Sequence, residues 1–221
     1  MKTQRRNPPA SRRRARPVTP RGTKKRDTHA RILESASRIA RREGLRAASV
    51  PRVMSAAGLT TGGFYAHFPS KTGMDAEIVR ALQSPLRGLE DLENSAGFDW
   101  LQRAVKRYLS VAHRDTEDGC GYPAVLSEVA SSPDEVRQAL AEALETRVAA
   151  FEPHVASITG TTRITARERT LATMALTIGG LLLARAVQGS PISEDMISAC
   201  RKWSLPEAAL VDRTRVERSV R

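Results

Sequence analysis

The sequence predicts an all-α protein. Aromatic residues make up only 4% of the 221 residues, whereas Ala, Arg, Leu and Glu are abundant. Long alternating β-branched runs, which would predict strands, are missing from the sequence. Apolar residues recur instead at the three- and four-residue spacing of a helix with one buried face. With 40% hydrophobic residues, a chain of this length can bury a core without disulfides or metals.

Positive charge is concentrated at the N-terminus. Eleven of the 36 Lys and Arg residues lie in residues 1–26, where there is no Asp or Glu, so the rest of the chain holds 25 basic and 24 acidic residues. Together with four prolines, this composition predicts a disordered basic arm over residues 1–27. Such an arm can neutralise nucleic-acid phosphates, or it can act only as a solubilising tail.

An N-terminal domain of three short helices is predicted over residues 28–84. Ile32 and Ala36 belong to the apolar stripe of the first helix, which Gly44 ends. Ser49 is a suitable N-cap for the second helix. Gly58 suits the left-handed backbone of a tight turn after that helix.

A third short helix follows this turn. Thr60 or Thr61 can cap it, and Phe64 and Phe68 share one of its faces, which predicts that both rings pack into the core. Another helix is predicted to begin near Lys71. The first domain therefore has the short helices and sharp turn of a helix-turn-helix.

A C-terminal helical domain is predicted over residues 85–205, with a frayed tail at 206–221. Its helices are expected at roughly 98–113, 121–131, 133–156, 165–187 and 192–203. No apolar run is long enough for a membrane span, and the N-terminus lacks the apolar segment of a secretion signal. With only two cysteines, a cytoplasmic location is expected.

Residues 49–71 carry the motif that indicates a function. They combine Ala57-Gly58 at the turn, Gly63 ahead of Phe64-Tyr65, then His67-Phe68, and Ser70-Lys71 at the next helix start. This run closely resembles the helix-turn-helix of the TetR/AcrR family, and the resemblance extends over residues 28 to about 82. It implies a homodimeric, sequence-specific transcriptional regulator, a repressor that a small-molecule ligand releases from operator DNA.

The resemblance also implies which residues contact DNA. Tyr65 and His67 would contact phosphates, Lys71 would reach the backbone, and Ser49 with Arg52 would anchor the opposite strand. Small residues at the start of the recognition helix allow close approach to base edges. Adjacent glycines, where family members commonly carry a polar residue, weaken that readout. The predicted DNA-binding residues are Ser49, Arg52, Thr60, Thr61, Gly62, Gly63, Tyr65, His67 and Lys71.

The C-terminal half resembles one TetR subgroup at Arg107–Ser110, Gly119–Gly121 and Leu181–Val187, which implies a ligand pocket among the middle helices. Candidate ligand-binding residues, each equally compatible with ordinary core packing, are Tyr108, Cys120, Tyr122, Phe151, His154 and Met174. Cys120 could be an electrophile or redox sensor, but an inert role or one lining the pocket is favoured.

A dimer interface is expected on the last two helices, because the segment 171–187 is apolar on most of its faces and contains two adjacent glycines. The candidate interface residues are Leu171, Ile178, Gly179, Leu182 and Ile197. Cys200, on the last helix, is expected to be a packing residue.

The sequence argues against an enzyme. It contains no phosphate-binding glycine loop, no nucleophile elbow and no metal-ligand spacing, and its four histidines are scattered. No cofactor or metal is therefore expected. The predicted partners are double-stranded operator DNA, a small-molecule effector and a second copy of the chain. The alternative is an architectural protein that binds DNA nonspecifically through its basic arm.

Overall fold

The computed structural model describes residues 20–82, 96–116, 120–159 and 164–205, and within these ranges the chain is helical and contains no strand. The prediction of an all-α fold is confirmed. The arm at 1–19, the tail at 206–221 and the predicted domain boundary at residue 84 lie outside the described residues.

Among the described residues, four helical elements form the N-terminal part, and six further helices follow. The first four are α1 (Pro20–Glu43), α2 (Val50–Ala56), a 3₁₀ helix (Thr61–Ala66) and α3 (Lys71–Ala81). The others are α4 (Gly97–Tyr108), α5 (Val111–Asp115), α6 (Tyr122–Ala130), α7 (Asp134–Thr159), α8 (Ala166–Ala186) and α9 (Pro191–Trp203).

Helix α1 begins at Pro20, so the prediction of a disordered arm is wrong for residues 20–27. Proline is well tolerated in a first helical turn, and the Lys and Arg residues that follow have good helix propensity. The Thr28 hydroxyl donates to the Lys24 carbonyl 2.9 Å away, within the helix. High charge alone therefore does not prevent this segment from extending the helix that starts the core.

The apolar stripe of α1 is the centre of the first core. Ile32, Ala36 and Ala40, each four residues from the next, are completely buried. The stripe packs against α2, the 3₁₀ helix and α3, and also against apolar residues of α6 and α7, which are Val125, Val129, Val136 and Ala139. The N-terminal helices and the larger C-terminal part thus share one continuous core.

A second core lies among α4, α7, α8 and α9. Its fully or nearly fully buried residues include Leu101, Leu109, Val155 and Leu181. Helices α8 and α9 approach closely at Gly180, where an added Cβ would lie 2.5 Å from the Cys200 sulfur. Cys200 is buried, as its predicted packing role requires, and burial raises the pKa of its thiol.

The helix predicted at 98–113 is two helices. Helix α4 ends at Tyr108, and the extended Ser110 starts α5 by accepting a hydrogen bond from the His113 amide at 3.0 Å. Serine favours this cap because its hydroxyl satisfies an amide that has no partner inside the helix. The break turns the chain and leaves space between α4 and α5.

Gly44 ends α1 with a φ of +90° and lies against α6. An added Cβ at Gly44 would lie 2.3 Å from the Glu128 Oε1 atom and 3.2 Å from the Ala124 carbonyl oxygen. Gly58 also has a positive φ, +67°, but a Cβ there would have no neighbour within 4 Å. Gly44 therefore combines a left-handed backbone with a close contact, whereas Gly58 has only the backbone requirement.

We expect both Gly44→Ala and Gly58→Ala to lower the free energy of unfolding by about 1–2 kcal/mol through left-handed strain. Gly44→Ala should lose about 1–3 kcal/mol more, because overpacking displaces α6. Urea unfolding of the two variants at equal protein concentration measures the difference. Equal losses at the two positions would contradict the close packing of α6 on Gly44.

Candidate functional site

The predicted helix-turn-helix is present, but its second helix is a short 3₁₀ helix. Gly58 makes the turn, with the Leu59 amide donating to the Met54 carbonyl at 2.9 Å. Two glycines in the six residues of the 3₁₀ helix explain its type, because glycine is a poor α-helix former and short helices often take the tighter form. Thr60 occupies the N-cap position.

Phe64 and Phe68 fix this 3₁₀ helix to the core. Both side chains are completely buried, and their rings stack with centroids 5.4 Å apart. His29 of α1 stacks on Phe68 with a centroid distance of 4.4 Å. The prediction that both phenylalanines are core residues is confirmed, and it leaves the opposite side of the helix free for a ligand.

The predicted DNA-binding residues are mostly at the surface. Tyr65 is 74% exposed although it follows the buried Phe64. The exposed set comprises Ser49, Arg52, Thr60, Thr61, Gly62 and Tyr65, while Gly63, His67 and Lys71 are half-buried. Ser49 takes the N-cap position of α2, but its side chain does not bond to that helix. Its hydroxyl is thus not committed to the predicted cap.

Arg52 is held by an acidic neighbour. Its two terminal nitrogens donate to the two Glu43 carboxylate oxygens at 2.7 and 2.5 Å, and both side chains are 46% exposed. This bidentate contact lowers the pKa of Glu43, so the acid stays charged near neutral pH. A phosphate would have to compete with Glu43 for the guanidinium.

Lys71 and His67 are also constrained by their surroundings. The Lys71 ammonium donates to Asp75, one turn later, and lies 3.4 Å from the Leu45 carbonyl oxygen. Burial, with the charges of Lys25 and His29, lowers the pKa of His67. The His67 ring is therefore neutral near pH 7, and a neutral imidazole can still donate one N–H to a phosphate.

A cavity of about 390 Å³ lies between α4, α5, α7 and α8. Its volume falls within the usual range for small-molecule sites. Apolar side chains on its wall include Val105, Phe151, Met174 and Ile178. Polar side chains on its wall include Arg107, Tyr108, His113 and Arg147.

Three of the six candidate ligand residues, Tyr108, Phe151 and Met174, line this cavity. The other three do not line it and lie elsewhere in the C-terminal part. His154 stacks on Trp100 with centroids 4.0 Å apart. Tyr122 is buried beneath the Arg147 guanidinium. Cys120 lies behind Tyr108, whose hydroxyl donates to its sulfur at 3.0 Å.

The sequence analysis missed Arg147 and His113. Arg147 is four residues before Phe151, so both lie on one face of α7, a spacing that was available in the sequence. No spacing in the sequence indicated that His113 would reach the cavity. It reaches the wall because α5 is a separate helix, a break that the periodicity did not reveal.

His113 connects the cavity wall to the segment before α6. Its Nδ1 lies 2.6 Å from the Tyr108 carbonyl oxygen, and its Nε2 accepts from the Cys120 amide at 2.9 Å. Burial is the main cause that lowers the pKa of His113, which keeps the ring neutral and able to accept from Cys120. Nδ1 must then carry the proton that it donates to Tyr108.

Arg185 of α8 fixes the same segment. Its guanidinium donates to the carbonyl oxygens of His113 and Cys120 at 2.9 Å each, and to that of Arg114 at 3.1 Å. One cation therefore satisfies three backbone acceptors near the start of α6. This contact links α8, the cavity wall and α6.

Comparison with known proteins finds one matching family model and several solved structures of similar fold. Residues 32–78 match the family model described as bacterial regulatory proteins, tetR family. No curated protein matches the sequence. A TetR-family transcriptional regulator from Agrobacterium tumefaciens has a similar structure, with a TM-score of 0.64 at 19% identity over 82% of this chain and 100% of that one.

Two further solved structures are similar. Reduced NemR from E. coli has a TM-score of 0.66 at 16% identity and covers 80% of this chain and 96% of its own. FadR from Bacillus subtilis, in complex with stearoyl-CoA, has a TM-score of 0.63 at 14% identity, covering 80% and 97%. Residues 32–78 thus match the tetR family in sequence, and the chain shares the fold of these solved regulators.

Helix α6 joins the cavity to the helix-turn-helix domain. Tyr122, at its start, lies under Arg147, and Val125 and Val129 are part of the first core. The Glu128 carboxylate accepts from the Arg46 amide at 2.8 Å, in the turn between α1 and α2. The Glu128 side chain therefore caps this turn from the C-terminal part of the chain.

Helices α8 and α9 present an apolar surface. Leu171 and Leu182, two candidate interface residues, are 44% and 40% exposed, and an added Cβ at Gly179 would meet nothing within 4 Å. Ile178 and Ile197 were placed wrongly, because both are buried inside the subunit. Other exposed large apolar residues on these two helices are Leu183, Ile192 and Trp203.

The described ranges contain neither a metal-binding cluster nor a membrane-spanning helix. Among these residues, no cluster of three His, Cys, Asp or Glu side chains is arranged to hold a metal ion. None of the described helices combines the length and apolarity needed to cross a bilayer.

The ion pair of Arg52 and Glu43 leads to a prediction about DNA affinity. Arg52→Gln should weaken duplex binding roughly two- to tenfold and reduce the salt slope by about 1, because one phosphate contact is lost. Glu43→Gln should strengthen binding by a similar factor, because Arg52 no longer has a competing partner. Fluorescence anisotropy at several salt concentrations measures both effects.

Glu145→Gln is the matched control, because it removes the same charge from another exposed ion pair. Glu145 of α7 pairs with Arg167 of α8 at 2.7 Å. It should leave DNA affinity unchanged. If Glu43→Gln behaved like Glu145→Gln, Glu43 would not compete with a phosphate for Arg52.

Proposed function

We propose that the chain is a homodimeric transcriptional repressor that binds a palindromic operator and is released from it by a small-molecule effector. The observation that carries this proposal is the seating of the 3₁₀ helix on the core by Phe64 and by Phe68, which lies just after the helix ends. Thr60, Thr61, Gly62 and Tyr65 remain exposed around it. A rigidly seated short helix with a small-residue surface suits the major groove. We expect no catalytic activity.

The chemistry of this exposed surface divides into two kinds of contact. Thr60 and Thr61 offer hydroxyls for base edges or phosphates and methyl groups for thymine. Tyr65, His67 and Lys71 offer donors to phosphates, which position the domain without reading sequence. With Gly62 and Gly63 contributing only backbone, specificity should rest on few base contacts and on the spacing between two subunits.

A symmetric dimer through α8 and α9 would supply that spacing. The exposed Leu171, Leu182 and Leu183 make α8 unusually apolar for a surface helix, and α9 adds Ile192 and Trp203. A two-fold interface uses the same patch on both subunits. It would hold two recognition helices about 34–36 Å apart, the distance between successive major grooves on one side of DNA.

Effector release would use α6 as the moving element. The cavity residue Arg147 lies over Tyr122 at the start of α6, and Glu128 near its other end caps the turn before α2. A shift of α6 would therefore alter the position of the helix-turn-helix. An effector need only prefer the released state by about 1–3 kcal/mol to regulate binding. The stearoyl-CoA complex of FadR is consistent with an effector role for this fold.

Selection of bound duplexes from a random pool tests the DNA-binding part of the proposal. We expect a palindromic consensus, protected in footprinting with half-sites about one helical turn apart. It should compete at least about a thousandfold better than bulk DNA. Tyr65→Phe should weaken binding to all sequences alike, because it removes only a phosphate donor. Failure to enrich any sequence would favour the alternative of an architectural DNA-binding protein.

Leu182→Arg tests the dimer. A buried, unpaired charge is strongly unfavourable, so the variant should sediment as a monomer at micromolar concentration and lose at least about tenfold in operator affinity. Val111→Arg is the control, because Val111 is similarly exposed, at 43%, but lies on α5. A dimeric Leu182→Arg variant would show that this surface is not the interface.

A further inference from the structure

We infer that the cavity binds an amphipathic anion, with an apolar body against α4, α7 and α8 and an anionic group on Arg147. This inference rests on the effector role proposed above, and it adds the chemical class of the effector. The class could be a carboxylate, sulfonate or phosphate ester, since all three offer oxygens to a guanidinium.

Arg147 is held in an aromatic cage. Its guanidinium carbon lies 5.4 Å from the ring centroid of Tyr122 and 5.9 Å from those of Tyr108 and Phe151. These distances allow cation–π attraction to all three rings. The rings come from α4, α6 and α7, so the cage fixes the cation where three helices meet.

The cage does not satisfy the hydrogen bonds of Arg147. Its Nε is buried and has no hydrogen-bond partner among the described residues. A buried donor without a partner is costly, and a ligand oxygen that accepted from it would remove that cost. A planar guanidinium can also donate two parallel bonds to one anionic group.

The charge of the cavity wall favours an anion as the acceptor. Arg107 and Arg147 line the cavity, and no Asp or Glu is among the described lining residues. Other polar groups on the wall are already used. Ser110 caps α5, both His113 nitrogens are bonded within the chain, and the Thr177 hydroxyl donates to the Thr173 carbonyl. Arg147 is therefore the main donor left for a ligand.

The rest of the wall requires an apolar body. Val105, Phe151, Met174 and Ile178 present hydrocarbon and aromatic surface. Burial and the neighbouring Cys120 raise the pKa of Tyr108 well above its usual range, so its phenol stays neutral and adds no negative charge. A cationic ligand would be repelled by Arg147, and a neutral one would leave the guanidinium without a counter-ion.

A matched pair of fluorescent probes tests this inference on the purified full chain without DNA. 8-Anilinonaphthalene-1-sulfonate is anionic, and N-phenyl-1-naphthylamine has the same aromatic body without the sulfonate. We expect saturable binding of one sulfonate probe per chain, at least about tenfold tighter than the neutral probe. Equal affinities, tighter binding of the neutral probe or no saturable binding of the sulfonate would overturn the inference.

Arg147→Met separates this site from other positive surfaces. It should lower the affinity for the sulfonate probe at least about tenfold. Its affinity for the neutral probe should stay within about twofold of that of the unmodified chain. Arg137→Met is the control, because Arg137 is an exposed residue of the same helix, paired with Asp134, and it should change neither affinity. Unchanged sulfonate affinity in Arg147→Met would overturn the assignment.

Circular dichroism and DNA affinity of the same variants keep this test distinct from the proposed function. Arg147→Met should keep the helical circular dichroism signal of the unmodified chain, and the DNA affinity of the unmodified chain tests the regulator role separately. If the probes show no preference for an anion while DNA binding persists, the effector class is wrong and the regulator remains.

Discussion

The docking of α6 on the turn after α1 is the contact on which the rest of the structure depends. Glu128 accepts the Arg46 amide and lies against Gly44, while Val125 and Val129 complete the core of the helix-turn-helix domain. The N-terminal helices alone would expose this apolar surface. The helix-turn-helix domain is therefore completed by a helix from the C-terminal part, so a shift of α6 would also move the turn that Glu128 caps.

A continuous set of contacts extends from this point to the predicted dimer surface. Arg185 of α8 donates to three carbonyls in and after α5, and His113 accepts the Cys120 amide just before α6 starts. A shift of α8 against a partner subunit would thus be transmitted to the start of α6. Both elements contact the cavity wall, so an occupied cavity can bias the same two-state movement.

Local sequence signals predicted much of the fold. Gly44, Gly58 and Ser70 mark element boundaries because their backbone or capping requirements are local, and the phenylalanine pair of the 3₁₀ helix follows from its spacing. Local signals failed where the position of a side chain depends on which surface of the fold packs against it. Periodicity identified Ile178 and Ile197 as apolar, but it could not tell that these residues face their own subunit while Leu182 faces outward. Arg147 was missed although its spacing to Phe151 is local, because the other two rings of its cage, Tyr108 and Tyr122, come from α4 and α6.

The charges at the DNA surface explain why net charge is a poor guide to DNA affinity here. Arg52 and Lys71 are cations of the helix-turn-helix, but each has an acidic partner, Glu43 and Asp75. These pairs reduce the electrostatic field of the domain at long range. A phosphate that binds either cation must displace its carboxylate, so the net binding free energy is only the difference between the two attractions. Since eleven of the 36 basic residues precede Asp27, long-range attraction must come largely from the N-terminal segment. In the proposed regulator, attraction to DNA would therefore depend mainly on the N-terminal cations, and selection among sequences would depend on the surface of the 3₁₀ helix.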